Sequence, residues 1–297
     1  MSQNNVELLK ELFKLMRPKQ WFKSFSIFFG SALLIYQNGI DLFGVTKLLI
    51  SFLAISLLSS SVYILNDLSD IEKDRLHPIK KFRPLARGKV SKNEAALLFL
   101  VIFSLSLVLL NYINYKNLII GLIMLLNNLL YSFKPIRIKD VPILDILSAG
   151  INFSLRVSIG WYSLTDKNIF LSIFFFPFFI SGFLLSCKRM GEYLFLKANK
   201  EKIRKVFLFY NKKNLNILIY FFMALTLFSY ILFSILFNIY LLLLTPWFLL
   251  QLFWYKSFLK DDNNIVQKPE DIFFLKKNFT ISGILFCLIW ILIIIFV

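Results

Sequence analysis

The sequence predicts an all-α integral membrane protein, a bundle of nine transmembrane helices with the N-terminus cytoplasmic and the C-terminus external. Three observations carry that expectation. The chain is 58% hydrophobic with a mean hydropathy of +0.70, where soluble domains are nearer about 45–50% apolar. Its apolar runs repeatedly reach the roughly 17–25 residues that a span needs. Finally, 30 of its 34 Lys and Arg residues fall in alternate loops, as expected when cytoplasmic loops retain positive charge.

Spans are expected over 24–40, 45–65, 94–113, 117–133, 143–164, 169–187, 214–234, 236–255 and 279–297. The basic connections are 1–23, 66–93, 134–142, 188–213 and 256–278, whereas 41–44, 114–116 and 165–168 hold almost no base. Nine spans put every basic loop on one side, and one missed helix would scramble that alternation. The whole of 1–297 reads as a single polytopic domain. Its N-terminus carries no removable signal pattern and is expected to be mature.

Residues 1–22 form an amphipathic interfacial segment. Leu8, Leu9, Leu12, Phe13 and Met16 make one face, with Glu7, Lys10, Glu11 and Lys14 opposite, a pattern suited to the membrane surface. The net charge of +17 is explained by topology, so no nucleic-acid partner is expected. Anionic membrane lipids and polyanionic small molecules are. Cys187 and Cys287 both lie in apolar segments and suggest neither a disulfide framework nor a metal site.

The second span runs into Tyr63, Asn66, Asp67, Asp70 and Asp74. On a continuing helix the three aspartates share one face, with Tyr63 in the stripe, Asn66 at its edge and Glu72 turned away. Carboxylates so close repel one another, and a divalent cation relieves the repulsion. Mg²⁺ takes oxygen ligands and commonly joins carboxylates to substrate phosphates. The alternative is a solvated acidic patch at a helix end. Arg75, Lys80, Lys81, Arg83 and Arg87 follow in a loop shaped by Pro78, Pro84 and Gly88. Such cations recognise phosphate oxygens, or simply attract lipid headgroups. Carboxylates beside a basic loop therefore point to a diphosphate. His77 is expected to be structural.

Further polar stripes lie inside the membrane, where polar side chains mark function. Asn127, Asn128, Tyr131 and Lys134 share a face in the fourth span. Asp145, Ser148, Asn152 and Arg156 share one in the fifth. Arg156 needs a polar cavity or a buried partner, since lipid exposure would cost at least ~2.5 kcal/mol. Lys188, Arg189 and Glu192 close the sixth span, with Lys188 and Glu192 spaced for an intrahelical ion pair or as a second cationic arm.

These blocks, together with Arg17-Pro18 through Lys23, resemble the UbiA superfamily of intramembrane prenyltransferases. They are most similar to its decaprenyl-phosphate phosphoribosyltransferase branch. The resemblance covers nearly the whole chain, and 66–84 is its most specific stretch. It implies transfer of 5-phosphoribose from phosphoribosyl diphosphate to a polyprenyl phosphate, releasing diphosphate, at the cytoplasmic face of the cell (inner) membrane. It implies Mg²⁺, with Mn²⁺ as an alternative, held by Asn66, Asp67, Asp70 and Asp74, and Arg156 acting with the aspartates in catalysis. Substrate contacts would come from Lys23, Tyr63, Asn66, Lys80, Lys81, Arg83, Asn128, Tyr131, Lys134, Lys139, Asp145, Lys188, Arg189 and Glu192. A homo-oligomer is compatible with this reading. Aromatic-acceptor prenyltransferases of the same fold carry a second aspartate motif after span six, but 188–213 contains no aspartate, only Glu192 and Glu201. That departure favours the phosphoribosyl branch over the aromatic one. A transporter or lipid-binding protein without chemistry should show broken helices or inverted repeats, and neither is evident.

Overall fold

The computed structural model describes residues 3–76, 80–196, 205–261, 266, 272 and 275–296. Every regular element among them is helical. The α-helices and the 3₁₀ segment used below are, in chain order, α1 (Gln3–Leu15), a 3₁₀ segment (Pro18–Phe25), α2 (Ser26–Asn38), α3 (Leu42–Ser69), α4 (Ile71–Leu76), α5 (Lys92–Ile113), α6 (Tyr115–Ser132), α7 (Leu144–Tyr162), α8 (Leu171–Leu196), α9 (Lys212–Phe237), α10 (Thr245–Asp261) and α11 (Lys277–Phe296). Helical structure overlies each of the nine expected spans. Six of these stretches, α3, α5, α8, α9, 239–260 and α11, are long and apolar enough to cross a membrane, so the chain is an integral membrane protein. By contrast, α2 has only 13 residues, roughly 20 Å of rise against a hydrocarbon core of about 30 Å.

Local chemistry sets the helix starts. Asp41 accepts from the Gly44 amide at 2.7 Å ahead of α3. Ser91 and Glu94 form a reciprocal capping box at α5. Asn114 and Asn211 cap α6 and α9 through their side-chain oxygens. Each supplies an acceptor to an amide that the first helical turn leaves without a partner.

The chain forms two compact units, Met1–Ile136 with Leu155–Ile169, and Arg137–Ser154 with Phe170–Val297. In the first, α3 packs against α5 and the 3₁₀ segment. Its buried face is rich in serine. Ser56 donates to Ser24 at 2.9 Å, Ser60 to the Met16 carbonyl at 2.7 Å, and Ser51 pairs with Ser163 at 2.8 Å. These small side chains let backbones approach and satisfy each other without water, as a membrane interior requires. The closest approach joins α2 to the later part of α7. A Cβ on Gly160 would lie 1.8 Å from the Ile27 carbonyl oxygen, and one on Gly30 would lie 1.9 Å from that of Val157.

In the second unit α8 packs along α9. Aromatic rings fill its core: Tyr230 and Phe248 have centroids 4.7 Å apart, and Phe248 and Phe286 5.7 Å. The Tyr230 hydroxyl donates to the Leu241 carbonyl at 3.0 Å.

The N-terminal helix departs from expectation. Leu8, Leu12 and Met16 pack onto a cluster that includes Ile64, Leu85 and Val90, whereas Leu9 and Phe13 stay exposed. Glu11, expected on the outer polar face, is buried. It accepts from Lys14 at 2.6 Å and Arg87 at 2.7 Å, and Lys89 reaches Glu7 at 3.0 Å. The helix thus clamps to the basic loop through charge as well as apolar contact.

Two outcomes follow from this packing. Gly160→Ala is expected to lower the unfolding midpoint of the detergent-solubilised protein, since overpacking costs about 1–3 kcal/mol. Gly283→Ala, with nothing within 4 Å of the new Cβ, should not. The hydrogen bond from Lys14, with Arg87 behind it, holds the Glu11 carboxyl below its ordinary value of 4.5 against the opposing effect of burial. Because the folded value is the depressed one, the clamp is complete above pH 4.5 and is lost as pH falls through that lower value. Hydrogen exchange of the α1 amides should accelerate at that transition, and Glu11→Gln should remove the pH dependence.

Candidate functional site

The acidic site is built where α3 ends. Asp70 breaks the helix between Ser69 and Ile71, yet the register persists: its amide donates to the Asn66 carbonyl at 3.1 Å, and the Asp74 amide donates to the Asp70 carbonyl at 2.8 Å. Asp67 and Asp74 therefore remain on one side, with only 2% and 3% of their surface exposed. Asp70 is half-buried, and Glu72 points outward to Arg75 at 3.2 Å.

Arg83 joins the two buried aspartates. Its Nη1 donates to Asp67 Oδ1 at 3.0 Å and to Asp74 Oδ2 at 2.6 Å. Arg17 donates through Nη2 to the same Asp67 oxygen, and Lys80 Nζ lies 3.9 Å from Asp74. Carboxylates this deep persist as anions only beside cations. The loop delivers Arg83 by folding on itself. The Arg87 amide donates to the Arg83 carbonyl at 3.0 Å, Gly88 supplies a turn at φ 73°, and Leu85 and Val90 anchor the turn in the core. Arg17 sits in the left-handed region at φ 53°, an unusual setting for a side-chain-bearing residue. Its guanidinium lies 5.0 Å from the Tyr63 ring centroid.

Among the described residues no three His, Cys, Asp or Glu side chains gather as a metal cage. The carboxylates that converge on one guanidinium are Asp67 and Asp74. His77 and Pro78 lie outside the described residues.

Deeper along α3 a small cavity opens between Ser59, Tyr63, Asn128 and Arg156. Arg156 Nη2 donates to Ser59 Oγ at 3.2 Å, and Asn128 donates to the Met124 carbonyl at 2.7 Å. Tyr131 is half-buried near the end of α6. Lys134 lies exposed beyond it, Lys23 is half-buried, and Lys81 is exposed with Nζ 5.2 Å from the Phe82 ring.

In the second unit, Asp145 accepts from Arg189 Nε at 2.6 Å and from the Tyr210 hydroxyl at 2.8 Å, and Arg189 Nη1 donates to Glu192 at 2.8 Å. Asp145 and Arg189 are buried. Burial, then the charge of Asp145, pushes the Tyr210 hydroxyl up and keeps it protonated. That hydroxyl also accepts from the Ile143 amide at 2.7 Å, where Ile143 holds φ 66°. This network orders the start of α7, a structural duty that the substrate-contact reading of Asp145, Arg189 and Glu192 did not include. Lys139 and Lys188 are half-buried in the same unit.

Comparison with known proteins fits this geometry. The family model described as the UbiA prenyltransferase family matches residues 24–278. The chain belongs to that family. A decaprenyl-phosphate phosphoribosyltransferase from Mycolicibacterium smegmatis is 31% identical over 203 residues, covering 67% of this chain and 62% of that one. An uncharacterised protein from Sinorhizobium fredii is 33% identical over 152 residues, 51% of this chain and 28% of its own length. The chain thus spans less than two thirds of the length of these curated relatives. The structure of a UbiA homologue from Archaeoglobus fulgidus bound to GPP and Mg²⁺ superposes with a TM-score of 0.69 at 21% identity, over 97% of this chain and 100% of that one, a likeness of fold.

Sequence reasoning missed Arg17, Ser59 and Tyr210 as site or supporting residues. Arg17 carried a signal, a cation fixed by the following proline where the interfacial helix ends. Ser59 and Tyr210 carried none.

Arg83→Ala should destabilise the protein by about 3–5 kcal/mol, the usual cost of removing one partner from a buried ion pair. Adding Asp74→Asn should recover part of that loss. A double-mutant cycle read from unfolding midpoints should give a coupling of about 0.5–3 kcal/mol. Strict additivity would mean that Arg83 and Asp74 do not act as a unit.

Proposed function

We propose that this protein transfers 5-phosphoribose from phosphoribosyl diphosphate to a polyprenyl phosphate and releases diphosphate. The observation that carries the reading is the pair of buried carboxylates sharing one guanidinium, since a site that holds two anions on exchangeable cations suits a ligand of high negative charge. Asp67 and Asp74, with Asn66 and Asp70 at the rim, form an all-oxygen donor set that fits Mg²⁺ or Mn²⁺. Two protein carboxylates with the remaining positions left to phosphate and water is the usual arrangement for Mg²⁺. A divalent cation held by these residues would supply neutralisation of the charge that builds on the departing diphosphate.

Arg17, Arg83 and Lys80 turn from the carboxylates to the diphosphate oxygens and complete that neutralisation. A phosphate oxygen of the lipid forms a bond to the anomeric carbon as the bond to diphosphate breaks, and the electron pair leaves with diphosphate. The attacking phosphate is already an anion and needs no base. Lys134 guides it, while the isoprenoid tail lies among apolar helices. In this reading the nine helical stretches all cross the inner membrane. The N-terminus and the acidic site face the cytoplasm, as the loop charges favour. The phosphoribosyl donor is preferred to a prenyl diphosphate because 188–213 lacks a second aspartate motif, and the name of the Mycolicibacterium relative agrees.

Purified protein in liposomes, given labelled phosphoribosyl diphosphate and polyprenyl phosphate, should move label into lipid with Mg²⁺ and not with a chelator. Asp67→Asn should lower the rate at least about 100-fold. No label in the lipid, with consumption of a prenyl diphosphate and an aromatic acceptor instead, would replace this reading with the aromatic one.

A further inference from the structure

Arg156 is a half-buried cation that no anion among the described residues pairs with. Its partner among the described residues is the neutral Ser59 hydroxyl, and its Nε is buried with no hydrogen-bond partner. A guanidinium left in this state inside a membrane bundle is costly. Its counterpart, Arg189 in the second unit, is fully engaged by Asp145 and Glu192. Arg156 instead borders the cavity with Ser59, Tyr63 and Asn128, a hydroxyl, a phenol and an amide, all able to donate to an anion. Leu58, Val62 and Met124 complete the lining, but an isoprenoid chain seated there would strand the guanidinium in an apolar contact.

Position adds to chemistry. Ser59 precedes Asp67 by eight residues on α3, roughly 12 Å of rise, with Tyr63 midway. One helix wall thus carries two anion loci, the carboxylate and arginine cluster at its end and the Arg156 cavity about two turns deeper. We infer that the Arg156 cavity binds a phosphate monoester, the 5-phosphate of the sugar donor. This rests on the phosphoribosyl reading above and deepens it. The donor would be held by both anionic ends, which fixes the anomeric carbon between them for attack. The same chemistry could serve the phosphate of the acceptor lipid. The shared wall favours the donor, since a molecule already anchored at Asp67 and Asp74 extends along α3.

The test uses the intact protein. Ribose 5-phosphate should bind the wild type calorimetrically and compete with phosphoribosyl diphosphate, while ribose does neither. Arg156→Met should raise the donor KM about tenfold or more, the loss of at least one charge-assisted hydrogen bond, and leave the KM for polyprenyl phosphate unchanged. Arg156→Lys should fall between, and Asn128→Leu should shift the donor KM in the same direction, which covers the case in which Arg156→Met does not fold. A rise confined to the KM for polyprenyl phosphate assigns the cavity to the acceptor and overturns the inference. So does a lowered unfolding midpoint with both KM values unchanged. Failure of the functional reading looks different: the wild type itself would transfer no phosphoribose.

Discussion

Two carboxylates buried at the end of a membrane helix need cations beside them, and much of the first unit serves to supply those cations. Without Arg83 between them, Asp67 and Asp74 would repel each other in a medium of low polarity. The loop that carries Arg83 turns at Gly88 and is anchored by Leu85 and Val90. It is clamped in turn by α1 through Glu11 and Glu7. Arg17 follows directly from that helix, in a backbone conformation that few side-chain-bearing residues adopt. The N-terminal segment therefore supplies a cation to the acidic cluster and braces the loop that supplies another.

The two units handle buried charge differently. Asp145, Arg189, Tyr210 and Glu192 satisfy one another, and the network holds the strained start of α7. Arg156, on the same helix, retains an unused donor beside a polar cavity. A closed network stabilises an arrangement, whereas an open cation invites a ligand. The distinction separates residues that look alike in sequence, since Asp145 and Arg156 lie on one helical stripe.

The helical class and the six stretches long and apolar enough to cross a membrane were legible because membrane spans are written in composition and length. The acidic site was legible because Asp67 and Asp74 keep their helical spacing across the break at Asp70. The break itself was not, since nothing in the local sequence forbids a continuous helix there. The inward turn of Glu11 was hidden for a different reason. An amphipathic pattern ranks residues by polarity, and a glutamate that pairs with a distant arginine lies on the wrong face of that pattern. Arg83 on Asp67 and Arg189 on Asp145 are long-range pairings, which spacing along one helix cannot reveal.

The central claim is that Asp67 and Asp74 jointly hold a divalent cation on the donor diphosphate, displacing Arg83. Electron–nuclear double resonance with Mn²⁺ as the probe tests it directly. With phosphoribosyl diphosphate bound, wild-type protein should give ³¹P hyperfine coupling to Mn²⁺, and Asp67→Asn and Asp74→Asn should each lose it. An equal coupling in either variant would contradict the account.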